Sequence, residues 1–180
     1  MSERAESVLK AIAAKDLVEV DASIKGVSAY RVGKDSFAYS GKVMKDAGWR
    51  LAAEWASDES RFGRGFCVFA AYCLSGEYLV IRTEMPPEEA HFQSLTRYFA
   101  AAFRFERQIK SLMGLTPAGH PDLRPWIAHE DWPQDAFPLR KDFDGTKPMG
   151  RASGEYKWIT AEGEGVFEVA VGPVHAGIIE

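Results

Sequence analysis

The chain has 180 residues, a formal charge of -4 and 46% hydrophobic, 12% aromatic and 27% charged residues, so roughly 70% of its unfolded surface can be buried in one domain. The negative charge and the lack of a Lys/Arg cluster argue against nucleic acid, because phosphate binding needs a basic surface. No run approaches the roughly 20 apolar residues that span a bilayer, and the opening Met1-Ser2-Glu3-Arg4-Ala5-Glu6 is too polar for a signal peptide, so membrane contact is expected only through partners.

Val8, Leu9, Ile12 and Ala13 fall on one stripe at helical spacing, which predicts a helix over Glu3 to Ala14 with Ser2 as N-cap. Val18 to Val32 roughly alternates and breaks at Gly26, predicting one or two strands. Lys34 to Trp49 reads as a helix with Phe37, Val43, Met44 and Ala47 inward and Gly48 as its terminator. Three strands follow, Arg50 to Ser57, Gly65 to Leu74 and Glu77 to Thr83, the last two joined by a tight turn at Ser75-Gly76. The run Phe66 to Leu74 is apolar on both faces and is expected at the heart of the sheet. Cys67 and Cys73 lie on one face of that strand, about 20 Å apart, so they cannot pair and are expected as buried free thiols.

Pro86-Pro87 ends the third strand, and Leu95 to Met113 has the spacing of the longest helix, closed by Gly114. The prolines at 117, 121, 125, 133, 138 and 148 then make Thr116 to Gly150 a long extended stretch. Leu123, Trp126, Ile127, Trp132, Phe137 and Leu139 within it are too apolar to be left in water, which points to docking. Gly145 to Gly154 is the expected hinge, and Trp158 to Val171 reads as two strands around Glu162-Gly163-Glu164-Gly165. The predicted fold class is α+β: a mainly antiparallel sheet packed on two or three helices, followed by the Pro-rich docking segment.

Motifs for chemistry are missing. There is no phosphate-cradling glycine loop, no G-x-S-x-G, and His91, His120, His129 and His175 lack ligand spacing. Two cysteines cannot supply a four-ligand iron-sulfur or zinc site. Glu106 falls near the apolar stripe of the long helix. It is either a carboxylate at the stripe's edge or half of an ion pair with Arg124 or Arg140 that fastens the extended segment.

Four ordered blocks carry a resemblance: Glu106-Arg107-Gln108, Leu112-Met113-Gly114-Leu115, Gly119-His120-Pro121-Asp122-Leu123-Arg124, and Phe137-Pro138-Leu139-Arg140-Lys141-Asp142-Phe143. Together they resemble the 30 kDa subunit family of respiratory complex I. Departures are Gln108 for a usual Glu, Ser111 for a usual acid and Trp126 for a usual aliphatic residue. The tail, Gly172-Pro173-Val174-His175-Ala176-Gly177-Ile178-Ile179-Glu180, looks like the start of the large-subunit domain that follows such a module in group 4 membrane-bound nickel-iron hydrogenases of the formate hydrogenlyase and hydrogenase-4 type.

The resemblance implies residues 1–144 as the 30 kDa-like domain, 145–157 as a hinge and 158–180 as the opening of a 49 kDa-like domain. It also implies a non-catalytic scaffold with no cofactor or metal of its own, bracing a large subunit with the nickel-iron centre and a small iron-sulfur subunit at the cytoplasmic face of the membrane. Its motif residues would be Glu106, Arg107, His120, Asp122, Leu123, Arg124, Pro138, Leu139, Arg140, Lys141 and Asp142. Gly172, Pro173, His175 and Glu180 would mark the junction, Glu180 matching a glutamate implicated in proton transfer in the longer protein. Ala176 and Ile179 depart from the proline and second histidine of the corresponding quinone-cavity loop. The alternatives are a complex I 30 kDa subunit with an atypical C-terminal extension, or a free-standing oxidoreductase, which detectable flavin, metal or NADH binding would reveal.

Overall fold

The computed structural model describes residues 2–15, 19–21, 27–128, 132–150 and 162–167. Helix α1 (Glu3–Ala13) begins where its cap predicts: the Ser2 hydroxyl accepts the Ala5 N–H at 3.2 Å, filling one of the donors a helix start leaves open. Ala5, Val8 and Ile12 are its buried stripe, while Ala13 is exposed. The alternating stretch forms β1 (Glu19–Asp21) and β2 (Ser28–Arg31). A short 3-10 turn, Lys34–Ser36, leads into α2 (Phe37–Asp46), whose Phe37, Ser40, Gly41 and Met44 face the core. Val43 is half-buried and Ala47 exposed.

Strands β3 (Arg50–Asp58), β4 (Phe66–Leu74) and β5 (Glu77–Met85) follow the predicted spans closely. Ser75 (φ 51°) and Gly76 (φ 84°) both take left-handed conformations in the β4–β5 turn, whose twist suits a hairpin. The sheet order is β1-β2-β5-β4-β3, with only β2 and β5 parallel. The centre is therefore β5, not β4, although β4 is paired on both sides as its apolar faces require.

Alternation along β4 separates two clusters. Phe66, Val68, Ala70 and Tyr72 join residues of all three helices in the main core, while Cys67 and Phe69 face the other way with Ala29 and Val80. Both cysteines are free and buried. Burial pushes the Cys67 thiol up to about 12, which leaves it unreactive at neutral pH.

Two expectations need correction. The long helix, α3, spans Ala102–Met113 and does not start at Leu95. The segment before it contains β6 (His91–Gln93), which pairs in parallel with β7 (Thr116–Ala118). Tandem turns carry Leu95 to Ala101: the Tyr98 and Phe99 N–H groups both donate to the Leu95 carbonyl at 2.9 Å. Such turns keep helix-like spacing, so Leu95 and Phe99 remain buried beside Ala102 and the periodicity is misleading. Thr116 and Pro117, read as irregular, belong to β7, where a two-stranded sheet tolerates proline. Between Gly119 and Gly150 the described residues form turns and bends only. Residues 162–167 make a turn in which the Val166 N–H donates to the Gly163 carbonyl at 3.2 Å. The strands read on either side of it, and Gly172 to Glu180, lie outside the described residues.

Candidate functional site

One feature of β3 decides what α3 packs against. Leu51 lies opposite Tyr72, but Ala53 lies opposite Ala71 and Glu54 opposite Ala70, so β3 carries one extra residue. Such a bulge shifts the alternation by one position. Leu51 and Glu54, of opposite parity, both turn toward the helices, while Trp55 stacks on Phe69 at 5.1 Å on the other face.

Glu54 (4% exposed) thereby enters the core near Glu106 of α3 and Tyr72 of β4, both fully buried. One Glu106 oxygen accepts the Leu95 N–H at 2.6 Å. The other Glu106 oxygen, both Glu54 oxygens and the Tyr72 hydroxyl have no hydrogen-bond partner. Glu106 is thus neither at the edge of its stripe nor paired with Arg124 or Arg140, both of which bond elsewhere. Burial, reinforced by the Glu106 charge, pushes the Glu54 carboxyl well above the usual range. Burial also raises Glu106 to about 7, against the opposing pull of the nearby Ser94 hydroxyl and the Leu95 and Thr96 N–H groups. Nothing in the sequence marks Glu54, because strict alternation from Leu51 places it outward.

On the outer side of α3 lies a strap, residues 119–127. Arg107 grips it, donating from Nε to the Arg124 carbonyl and from an η nitrogen to the Pro125 carbonyl, each at 2.9 Å. Lys110 Nζ donates to the Leu123 carbonyl at 2.7 Å. His120 is buried, its Nδ1 accepting the Asp122 N–H at 2.9 Å while Nε2 faces the Phe103 carbonyl at 3.0 Å. With Nδ1 accepting, the Nε2 proton is the one that can donate to the Phe103 carbonyl. Asp122 takes a forked bond from Arg124 and lies 3.5 Å from Arg107. Hydrogen bonds from Arg124, with the nearby Arg107 charge, hold its carboxyl well below the usual range.

Trp126 sits between the Arg104 and Arg107 guanidiniums, 5.0 and 5.1 Å from its ring. The Trp126 backbone N–H donates to Ser111 Oγ at 3.3 Å, so two of the three departures from the family pattern meet in one contact.

A second segment closes the C-terminal end of α3. Arg140 Nε donates to the Met113 carbonyl at 2.7 Å, and its guanidinium lies 4.9 Å from the Phe66 ring and 4.5 Å from the Phe137 ring. A cation suits that end of the helix dipole. The Leu139 N–H donates to the Leu112 carbonyl at 3.1 Å, and the Lys141 N–H to Asp58 at 2.8 Å. Pro138 is half-buried, Lys141 is exposed, and Asp142 borders a hollow of about 280 Å³ with Arg140 and Lys147.

The structure thus gathers His120, Asp122, Leu123 and Arg124 in one strap held by Arg107 of α3, and Pro138 to Asp142 in a second, with Glu106 apart and inward. Four of the segment's apolar side chains, read as too apolar to be left in water and therefore as a docking surface, are exposed in this chain. Leu123, Trp126, Ile127 and Leu139 are 38%, 45%, 38% and 52% exposed, while the backbone at residues 123–126 and the Leu139 N–H bond to α3. Gly172, Pro173, His175 and Glu180 lie outside the described residues. Among the described residues no group of three or more His, Cys, Asp or Glu is arranged to hold a metal ion.

Comparison with known proteins agrees with this framework. Formate hydrogenlyase subunit 5 of Escherichia coli (strain K12) is 31% identical over 140 residues, covering 73% of this chain and 24% of that protein. Hydrogenase-4 component G of the same organism is 31% identical over 134 residues, covering 71% and 24%. The chain therefore spans about a quarter of the length of each. A chain of the membrane-bound sulfane sulfur reductase, an archaeal respiratory membrane complex, has the same fold, with a TM-score of 0.63 at 23% identity over 79% of this chain and 87% of that one. The family model of the respiratory-chain NADH dehydrogenase 30 kDa subunit matches residues 31–149, which hold α2, β3 to β5, α3 and both straps, and the chain belongs to that family.

Proposed function

We propose that the chain is a non-catalytic docking module of a membrane-associated electron-transfer complex, bracing a 49 kDa-like large-subunit domain and a small iron-sulfur subunit. The observation that carries this reading is the exposed row Leu123, Trp126 and Ile127, with Leu139 on the neighbouring segment. The backbone at residues 123–126 beneath this row is tied to α3 by Arg107, Lys110 and Ser111, and the Leu139 N–H donates to the Leu112 carbonyl. Rigid apolar and aromatic side chains over satisfied polar groups are what a partner surface requires.

In this reading the chain holds no cofactor. The nickel-iron centre and the iron-sulfur clusters belong to neighbouring domains, and the assembly sits at the cytoplasmic face of the membrane. The chain touches the bilayer only through partners, in keeping with the lack, among the described residues, of a helix long and apolar enough to cross it. The relatives named above, a formate hydrogenlyase subunit and a hydrogenase-4 component, favour the hydrogenase type. The family match to the NADH dehydrogenase subunit supports a complex I subunit as the second reading. A photo-crosslinking residue at Leu123 or Ile127 of the assembled complex is expected to trap the large or small subunit. Crosslinks to neither overturn the proposal.

A further inference from the structure

The unpartnered polar atoms between α3 and the sheet have no place in a docking role. Two carboxyl groups from elements 52 positions apart in sequence meet in the main core, and the phenol of Tyr72 joins them. Three of the four carboxyl oxygens and the Tyr72 hydroxyl are buried without a hydrogen bond. Burying one ionised carboxylate this way is costly, and burying two like charges together is more so.

Among the described residues no cation relieves the pair. On α2, Lys42 pairs with Asp46 and Lys45 lies over the Phe99 ring. On α3, Arg104 faces Trp126, Arg107 faces Asp122 and the strap, and Lys110 faces the Leu123 carbonyl. The groups that do face the site are neutral: Ser40, whose hydroxyl donates to the Phe37 carbonyl at 2.6 Å, Ser94, and the Leu95 N–H. Gly41 of α2 lies against the site: a Cβ there would lie 2.7 Å from Leu95 Cδ2, too close to fit, and 3.4 Å from the Tyr72 hydroxyl.

We infer that Glu54, Glu106 and Tyr72 form a buried proton-binding site, in which the carboxyl pair retains a proton at neutral pH and, with the phenol, encloses a bridging water. A protonated carboxyl supplies the donor that this set of acceptors lacks, and a water with three polar neighbours satisfies the rest. The site lies beneath α3, on the side opposite the strap, so its proton occupancy is linked to how firmly that helix rests on the sheet.

The sign of the linkage follows from the direction of the shifts. Both carboxyls are raised in the folded chain above an ordinary glutamate near about 4.3. Between that value and the folded one the native state holds more protons than the unfolded state. Their stabilising effect is complete below the ordinary value and is lost as pH rises through the folded one.

The test is a carboxyl-carbon NMR titration of the chain labelled at glutamate, combined with unfolding of wild type, Glu54→Gln and Glu106→Gln from pH 5 to 9. Two glutamate signals that titrate near or above neutrality are expected. So is an unfolding constant that rises up to about tenfold per pH unit for each retained proton, with a flatter profile in Glu54→Gln. The NMR arm needs no variant and stands even if one fails to fold. All glutamates titrating below about pH 5.5, or a Gln variant with the wild-type pH slope, overturns the inference. Stabilisation by sodium chloride beyond that of choline chloride also overturns it, in favour of a bound cation.

Discussion

Glu106 and Arg107 are neighbours on α3 with opposite tasks. Glu106 is fully buried and accepts the Leu95 N–H, whereas Arg107 reaches outward to the carbonyls of Arg124 and Pro125. One helix turn therefore joins an inward polar site to an outward surface, and the sequence block Glu106-Arg107-Gln108 has two separate structural meanings.

Replacing Arg107 tests the outward half. Arg107→Ala removes two charge-assisted bonds to strap carbonyls and the support for Trp126, at a cost of about 2–3 kcal/mol. Arg107→Lys is expected to recover little, since a single ammonium cannot reproduce the fork. Hydrogen exchange is expected to show lost protection at the Asp122 and Trp126 amides with the sheet unchanged; unchanged protection there contradicts this role.

Gly114 ends α3 at φ 69°, and a Cβ on it would lie 2.7 Å from both an Arg140 η nitrogen and Phe137 Cζ. Gly114→Ala combines a left-handed backbone penalty of about 1–2 kcal/mol with displacement of the second strap. A lowered melting temperature with new proteolytic cleavage between Phe137 and Phe143 is expected. Wild-type resistance to protease would show that the segment packs elsewhere.

Asp122 predicts an acid limit. Its depressed carboxyl contributes stability that is fully present above the ordinary aspartate value, near about 3.9, and is lost as pH falls through the folded value. Unfolding of wild type and Asp122→Asn from pH 7 to pH 2 is expected to show a smaller acid loss in the variant. Parallel curves contradict the pairing with Arg124 and Arg107.

Much of this architecture is legible in the sequence where local pattern and tertiary role agree. Ser2 caps α1, Ser75-Gly76 closes the hairpin, and the two-faced apolar run of β4 marks a strand paired on both sides. Reading fails where the cause is non-local. The bulge that turns Glu54 inward is a property of the β3–β4 register, so the partner of Glu106 could not be named from α3 alone. Leu95 and Phe99 keep helical spacing through tandem turns, which hides both β6 and the true start of α3. The apolar residues of the Pro-rich stretch suggest a docking segment, but which of them stay exposed is set by backbone contacts that Arg107 and Lys110 make from α3, and local pattern does not reveal those.

The central claim is that the row over α3 is a partner surface. Leu123→Asp, Ile127→Asp and Leu139→Asp, combined in one chain and expressed with its neighbouring subunits, test it most directly by the yield of assembled complex beside the melting temperature of the isolated chain. Because these side chains are already exposed, the melting temperature is expected to shift little while complex yield falls at least tenfold. Wild-type yield from a folded triple variant contradicts the account.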